Sequence, residues 1–133
     1  MSHPYEKLKA WVHCHKLVLA VYAETKRWPS EEKFGLTSQA RRAAVSAATS
    51  IAEGSAKRGP RELRRFLDIS NGSLSELEYL LRLALDLGMT TAERHLQIGE
   101  LHRQAGQTTW GLYQAVSRKC GDRKLTPPGR TAS

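Results

Sequence analysis

The sequence predicts an all-α protein that folds as an antiparallel up-down-up-down four-helix bundle. Four segments repeat apolar residues at intervals of three and four, which is the period of a helix face. Glycine or proline separates these segments, and no strand pattern appears between them. The predicted helices cover residues 5–28, 37–58, 60–87 and 91–119. Because the connections are short, we expect consecutive helices to be antiparallel neighbours.

The first predicted helix carries an apolar stripe at helical spacing. The stripe that we expect to face the core contains Leu8, Trp11 or Val12, His15, Val18 or Leu19, Tyr22 and Thr25. Trp28 should end this helix, because a residue before proline is disfavoured from helical geometry. One short extra turn is expected over residues 29–32.

The second predicted helix is the element around which the others pack. Thr37 is its predicted N-cap, with the hydroxyl accepting a hydrogen bond from an early backbone N–H. Its alanines stand at positions 40, 43, 44, 47, 48, 52 and 56. A face of such small side chains lets neighbouring helices approach closely. Gly54 and the Gly59-Pro60 pair are predicted to provide the exit.

The third and fourth helices begin with recognisable signals. Pro60 suits the first position of a helix, and Gly88 ends the third helix. Thr90 or Thr91 is the predicted cap of the fourth, with Glu93 placed for a capping pair. The fourth helix is expected to bury Leu96, Leu101, Ala105, Thr108, Leu112 and Val116.

The third helix is apolar over more of its surface than one bundle interior should use. Its core stripe contains Leu63, Phe66, Leu67, Ser70, Leu74, Leu77, Leu81, Ala84 and Leu85. A second apolar face adjoins this stripe, and we predict that it is an oligomer interface. The predicted interface residues are Ile69, Leu80, Leu83 and Leu87. The alternative is a wide core-facing stripe beneath a loop.

Composition narrows the class of protein. A chain of 133 residues is one domain, here divided into a bundle over 1–119 and a basic tail over 120–133. A net charge of +8 and a pI near 9.9 favour a polyanionic partner. Two distant cysteines without metal-ligand spacing indicate a reducing cytoplasm. No apolar run approaches the ~20 residues of a membrane span.

Residue patterns for catalysis or metal binding are not found in the sequence. Carboxylate-bridged metal bundles need Glu-x-x-His, and this chain has none. His13 and His15 flank Cys14, but residues two apart on a helix diverge by about 200°. The glycines match no phosphate-binding loop. We therefore expect no catalytic residue, no metal, no cofactor and no enzymatic activity.

Three acidic residues, Glu53, Glu76 and Glu78, lie within largely apolar helices. They would be either an acid pair with a function or partners for an arginine across the bundle. Because buried charges persist only when they are paired, we predict structural ion pairs with Arg41 or Arg42. One of these two arginines should face its partner, and the other should face solvent.

The basic residues give the stronger functional signal. Between residues 37 and 65 there are seven basic and two acidic residues, so this stretch contributes five of the eight net charges. The predicted nucleic-acid-binding residues are Arg42, Lys57, Arg58, Arg61, Arg64 and Arg65. Such side chains contact phosphates and give affinity without base specificity. No aromatic residue is interleaved with them, which disfavours stacking on single strands.

A second basic group ends the chain. It contains Arg118, Lys119, Arg123, Lys124 and Arg130. We expect the end of the fourth helix to lie opposite the turn between the second and third helices. The bundle would then have two basic poles, unless a flexible tail folds back.

Several motifs resemble those of a known family. They are the stretches YEKL with Trp11, FGLTSQ followed by RRAAVS, IAEG at 51–54, and Gly72-Ser73 followed by Glu76-Leu77-Glu78. Together they resemble the four-helix bundle family of 23S rRNA intervening sequence proteins, over residues 5–119. The accessory variability determinant of diversity-generating retroelements resembles this family and looks like a relative of it. Family members often carry Ile-Pro-Ser-Asn where this chain has residues 47–50, so its second helix should be straighter.

The resemblance implies a cytosolic bacterial bundle that assembles as a ring of five. It also implies RNA or DNA association and, in the retroelement relatives, a reverse-transcriptase partner. The resulting hypothesis is a non-enzymatic homo-oligomer, a pentamer, that binds nucleic acid through a basic surface. The alternative is a scaffold whose basic pole docks an acidic protein, a reverse transcriptase or another polymerase.

Overall fold

The computed structural model describes residues 3–121 and confirms the all-α four-helix architecture. The helices are α1 (Lys9–Thr25), α2 (Leu36–Ser55), α3 (Pro60–Asp86) and α4 (Ala92–Lys119). Short 3-10 turns cover Pro4–Lys7 and Ser30–Glu32. Most of the predicted tail, including Arg123, Lys124 and Arg130, lies outside the described residues. Within 3–121, no helix has the length and apolar character needed to cross a membrane.

The helices form a closed square in which each packs on the next and α4 returns to α1. The closest packing joins α2 and α3, and small side chains make it possible. Ser70 of α3 donates a hydrogen bond to the carbonyl of Ala47 at 2.7 Å, and the Ser73 hydroxyl donates to that of Ser46 at 2.9 Å. The alanine face of α2 is buried as predicted, from Ala40 to Ile51.

Helix boundaries follow the predicted signals in most places. Pro60 is the first residue of α3, and Thr91 caps α4, accepting from the Arg94 N–H at 3.1 Å. The predicted Thr37 cap is wrong: Thr37 is buried, and the Leu36 N–H donates instead to the Glu32 carboxylate at 3.0 Å. The first helix is also shorter than expected, because Leu8 is extended and separates α1 from the N-terminal 3-10 turn.

The buried face of α1 differs from the predicted stripe. The residues that α1 buries are Ala10, Cys14, Leu17, Val21, Glu24 and Thr25. Of the predicted stripe, only Thr25 is buried, whereas His15 and Tyr22 are exposed. The true face is rotated by about one residue, or 100°. Small side chains at positions 10 and 14 let α1 approach its neighbours, and the large rings lie at the edge of the core.

On α4 the prediction is partly correct. Ala105 and Val116 are buried as expected, together with Ile98, Thr109, Tyr113 and Ser117. Leu96 was expected in the core, but 72% of its surface is exposed. It lies in the second turn of α4, where the helix begins near the edge of the bundle.

The predicted oligomer interface on α3 does not form one surface. Leu80 is buried in the core and Leu83 packs partly against it. Ile69 and Leu87 are exposed, but 18 residues of helix separate them by about 27 Å. The extra apolar residues of α3 are therefore used largely by the bundle itself.

The two ends of the bundle are occupied by different segments than predicted. In an antiparallel square, the end of α4 and the start of α1 both lie beside the α2–α3 turn. Tyr113, near the end of α4, interacts with Asp68 and Arg64, near the start of α3. The expectation that the end of α4 lies opposite that turn is therefore wrong, and there is one basic pole.

Candidate nucleic-acid interface

One end of the bundle concentrates the positive charge. We define the basic pole as residues 3–9, 56–65 and 117–121, which carry nine basic and two acidic residues. The opposite end, which we call the neutral pole, consists of residues 24–36 and 86–94 and carries four basic and five acidic residues. Almost the whole net charge of +8 thus lies at the basic pole. Such asymmetry produces a field that attracts polyanions to one end.

The tight α2–α3 turn holds the centre of the basic pole. Gly59 adopts a φ of +83°, a conformation that suits glycine, and Pro60 then starts α3. Gly54 lies against α3 so closely that a Cβ there would be 2.8 Å from the Cβ of Phe66. The Lys57 ammonium and the Arg65 guanidinium lie 5.7 Å and 4.6 Å from the Phe66 ring centre. Phe66 therefore supports two of the predicted cations from beneath.

The predicted binding residues differ in how free they are. Arg58 and Arg61 are exposed, and within residues 3–121 no carboxylate lies at ion-pair distance from either. Arg65 pairs with Glu62 at 3.0 Å on the surface, an arrangement that solvent weakens. Arg64 is half-buried beside Tyr113. Arg58 and Arg61 are thus the cations most available to a ligand.

The surroundings of Tyr113 show how Arg64 is held. Burial raises the pKa of the Tyr113 hydroxyl, and the negative charge of Asp68 raises it further. The positive charge of Arg64 acts in the opposite direction. Arg64 therefore belongs to a polar cluster that joins α3 to α4 within the basic pole.

The position of Arg61 is unfavourable for the helix that contains it. It is the second residue of α3, where the helix dipole favours acidic side chains. It also stands three and four residues before Arg64 and Arg65, a spacing at which like charges repel. By contrast, Arg118 and Lys119 occupy the last turn of α4, where a positive charge stabilises a helix. Helix stability therefore explains the positive charge of Arg118 and Lys119 but not that of Arg61.

Arg42 lies apart from the other predicted contacts. It belongs to the second turn of α2, and 15 residues of chain separate it from Lys57, or about 22 Å along a helix axis. It is exposed and lines a groove of about 720 Å³ with Tyr22, Phe34 and Val45. The structure brings together five of the six predicted residues and leaves Arg42 outside.

Within residues 3–121, neither Arg41 nor Arg42 forms the predicted ion pair with one of the three acidic residues. Glu53, Glu76 and Glu78 are all exposed, so none requires a buried partner. Arg41 donates from Nε to the Thr25 hydroxyl at 2.8 Å, and its guanidinium lies 4.5 Å from the centre of the Tyr22 ring. Its partners are therefore on α1, and Arg42 is the arginine that faces solvent.

A buried ion pair occurs instead at the neutral pole, between α1 and α4. The Glu24 carboxylate accepts from Arg94 Nε at 2.9 Å and from the Trp28 ring N–H at 2.9 Å. Burial alone would raise the pKa of Glu24, but these hydrogen bonds outweigh it and the pKa is lowered. Sequence inspection missed this pair because 70 residues separate its members.

The structure also reveals an aromatic row beside the basic pole. His3 stacks on Tyr5 with ring centres 5.4 Å apart, and Tyr5 meets Trp11 edge to face at 4.8 Å. Trp11 in turn stacks on His15 at 4.8 Å. We call these four residues the aromatic ladder. No aromatic residue is interleaved with the basic cluster in the sequence, but the folded chain places these rings beside the basic pole.

Metal-binding and reactive groups are scarce in the described part of the chain. Residues 3–121 contain no group of three or more His, Cys, Asp and Glu side chains arranged to hold a metal ion. Cys14 is fully buried, and burial raises the pKa of its thiol to about 11 although the Thr109 hydroxyl, 3.5 Å away, lowers it. Cys14 is therefore a packing residue.

These features define a class of protein, a four-helix bundle with one strongly basic end. The chain belongs to the family described as 23S rRNA-intervening sequence protein, whose model matches residues 6–110. The resemblance of the sequence motifs to this family is thereby confirmed. The matched range ends before Arg118 and Lys119, so the last turn of α4 lies beyond it. No curated protein matches the chain.

Proposed function

We propose that this protein is a non-enzymatic bundle that binds nucleic acid, RNA or DNA, through the basic pole. The observation that carries the proposal is the meeting of three separate basic segments at one end of the fold. The family description, which refers to an intervening sequence of rRNA, supports a role related to nucleic acid. Contacts from Arg58, Arg61 and Lys57 to phosphates would give affinity with little base specificity.

The site contacts differ in their expected contributions. Arg58 and Arg61 make the direct phosphate contacts, since both are exposed and free of carboxylates within the described residues. Arg65 is available only when its surface pair with Glu62 opens, which costs little in water. Arg64 contributes mainly through its charge, because it is half-buried against α4.

A pair of matched charge reversals tests this proposal. In the first variant, Lys57, Arg58 and Arg61 become glutamate. In the control, the exposed residues Lys26, Arg27 and Lys33 of the neutral pole become glutamate, with the same change in net charge. Binding to a fluorescent RNA hairpin and to a DNA duplex is measured by anisotropy over a range of salt concentrations.

The first variant should bind both ligands more weakly, and its salt dependence should flatten by up to about 2.7 in log–log slope for duplex DNA, about 0.9 for each lost contact. The control should lose little affinity. Equal losses in the two variants, or no loss in either, would overturn the assignment of the basic pole. Capture of an acidic protein or a polymerase that survives nuclease treatment, without binding to either nucleic acid at physiological salt, would instead support the alternative of a protein-docking scaffold.

We also propose that the protein is a homo-oligomer, as the resemblance to pentameric relatives implies. Six of the eight large apolar residues that are exposed within 3–121 lie in the half that contains the neutral pole: Leu19, Tyr22, Phe34, Tyr79, Leu87 and Leu96. Association through that half would leave the basic poles accessible and would combine several of them into one field. A monomeric mass in light scattering would contradict this proposal.

A further inference from the structure

We propose that the basic pole prefers single-stranded nucleic acid, because the aromatic ladder provides a surface on which unpaired bases stack. This inference rests on the proposed function and specifies its ligand. The ladder joins residues that are up to twelve positions apart in the sequence, so only the folded chain presents it as one surface.

The ladder has open ends. His3 and His15 are exposed, and each has a ring neighbour on one side only within the ladder. Tyr5 and Trp11 are half-buried and connect the two histidines. A base can therefore extend the row at either end by stacking on a terminal ring, and both ends face solvent.

The ladder borders a groove of the right scale for a base. Tyr5, Trp11 and His15 line it on one side, and Ala48 and Ala52 of α2 form part of the other. Its volume is about 260 Å³, just below the roughly 300–1,000 Å³ of sites for drug-sized ligands. The alanines leave room beside the rings, so the groove suits a flat group such as a nucleobase.

Basic residues follow the ladder closely. Lys7 and Lys9 lie between Tyr5 and Trp11 in the sequence, and the N-terminal 3-10 turn packs on α2. Ala52 of the groove lies one helical turn before the end of α2, after which Lys57 and Arg58 follow. A strand whose bases stack on the ladder would therefore pass its phosphates near these cations. Aromatic rings beside a basic track are the arrangement by which proteins bind single strands.

Duplexes cannot use the ladder in the same way. Their bases are already stacked on each other, and only the phosphates are offered to the basic residues. The ladder thus adds affinity for a single strand on top of the charge attraction that both ligands share. Removal of one stacked ring typically weakens single-strand binding by roughly 5- to 150-fold.

The test combines two conservative variants with a control. Trp11→Leu and His15→Leu each replace a ring by a branched aliphatic side chain and so remove an aromatic face. The control is Phe34→Leu, which removes a 90% exposed aromatic ring at the neutral pole and keeps an apolar side chain on the proposed association surface. Light scattering checks that this variant has the same oligomeric state as the parent. Single-stranded RNA and DNA of one sequence, each with a 2-aminopurine, are compared with the corresponding duplexes, and melting by circular dichroism checks the fold.

With the parent protein, the 2-aminopurine emission of the single strands should fall on binding, because the base stacks on a ring. Both ladder variants should restore that emission and weaken single-strand binding by at least 5-fold, while their duplex binding stays unchanged. The control Phe34→Leu should bind single strands and duplexes as the parent does. If the ladder variants alter neither the emission nor the single-strand affinity, or if they weaken duplex binding by the same factor, the inference is wrong. The inference can fail in this way while the charge reversal at the basic pole still weakens the binding of both ligands, so the two proposals can be tested separately.

Discussion

The most informative single substitution is Arg61→Glu, because the structure predicts opposite effects on stability and on binding. Arg61 is exposed at the second position of α3 and opposes the helix dipole. Replacement by glutamate removes this unfavourable interaction, and the new carboxylate interacts favourably with the dipole. It also converts two repulsions, with Arg64 and Arg65, into attractions at three- and four-residue spacing.

The magnitude follows from these contributions. A charge in the first turn changes stability by about 0.3–1 kcal/mol, and each side-chain pair by about 0.2–0.5 kcal/mol. Because the site is exposed and Arg65 already pairs with Glu62, we expect a net gain of about 0.5–1.5 kcal/mol at low salt. For a chain of this length the gain corresponds to an increase of roughly 2–6 °C in melting temperature.

Binding should change in the other direction. The loss of one phosphate contact should flatten the salt dependence by about 0.9 for duplex DNA and about 0.7 for a single strand. The measurements are urea and thermal unfolding by circular dichroism, together with anisotropy titrations at several salt concentrations. Arg27→Glu, an exposed reversal at the neutral pole, is the control for net charge. A less stable Arg61→Glu protein, or one with unchanged binding, would refute the reasoning.

Two further predictions concern stability alone. Gly54→Ala should destabilise the bundle by about 1–2 kcal/mol, because the new methyl group would meet Phe66 Cβ at 2.8 Å and the cost of overpacking exceeds the gain in helix propensity. Gly72→Ala in α3, where an added Cβ would have no side chain and no other helix within 4 Å, should stabilise the bundle by about 0.5–1 kcal/mol. Urea unfolding that gives both glycine variants the same sign would contradict this pair of predictions. Glu24→Gln should cost about 1.5–3 kcal/mol at pH 7, since it removes one partner of an ion pair whose arginine is only 27% exposed. Because the folded-state pKa of Glu24 is lowered, its contribution is complete above pH 4.5, the ordinary value, and is lost as the pH falls below it. The cost of Glu24→Gln should therefore shrink at pH 3.5, and an equal cost at both pH values would show that the pair contributes no charge-dependent stability.

The sequence was sufficient for the fold but not for the buried face of every helix. The α2 face could be predicted because alanine fills it and few other arrangements are consistent with the pattern. On α1 two apolar stripes compete, one with small residues at Ala10 and Cys14 and one with large rings at Trp11 and His15. Periodicity cannot choose between them, because each repeats at helical spacing. Packing decides, and the large side chains remain at the edge of the core.

The candidate site shows a similar division. The Lys57–Arg65 cluster is contiguous in sequence and needed no structure to be found. The partners of Arg41 could not be predicted from the sequence, because its guanidinium contacts the Thr25 hydroxyl and the Tyr22 ring on α1. The acidic residues that were its expected partners are exposed to solvent. The aromatic ladder was missed because its rings precede the basic cluster by about forty residues and join it only when α1 packs on α2.

The merging of the basic segments follows from topology. In any antiparallel bundle of four helices, the start of the first, the turn between the second and third, and the end of the fourth lie at one end. This chain places basic residues in all three of these segments and balanced charges in the two segments at the other end. Helix dipoles explain the positive charge at the ends of α2 and α4 but oppose it at the start of α3. Helix stability therefore does not explain the charge at Arg61, whereas the proposed polyanionic ligand would.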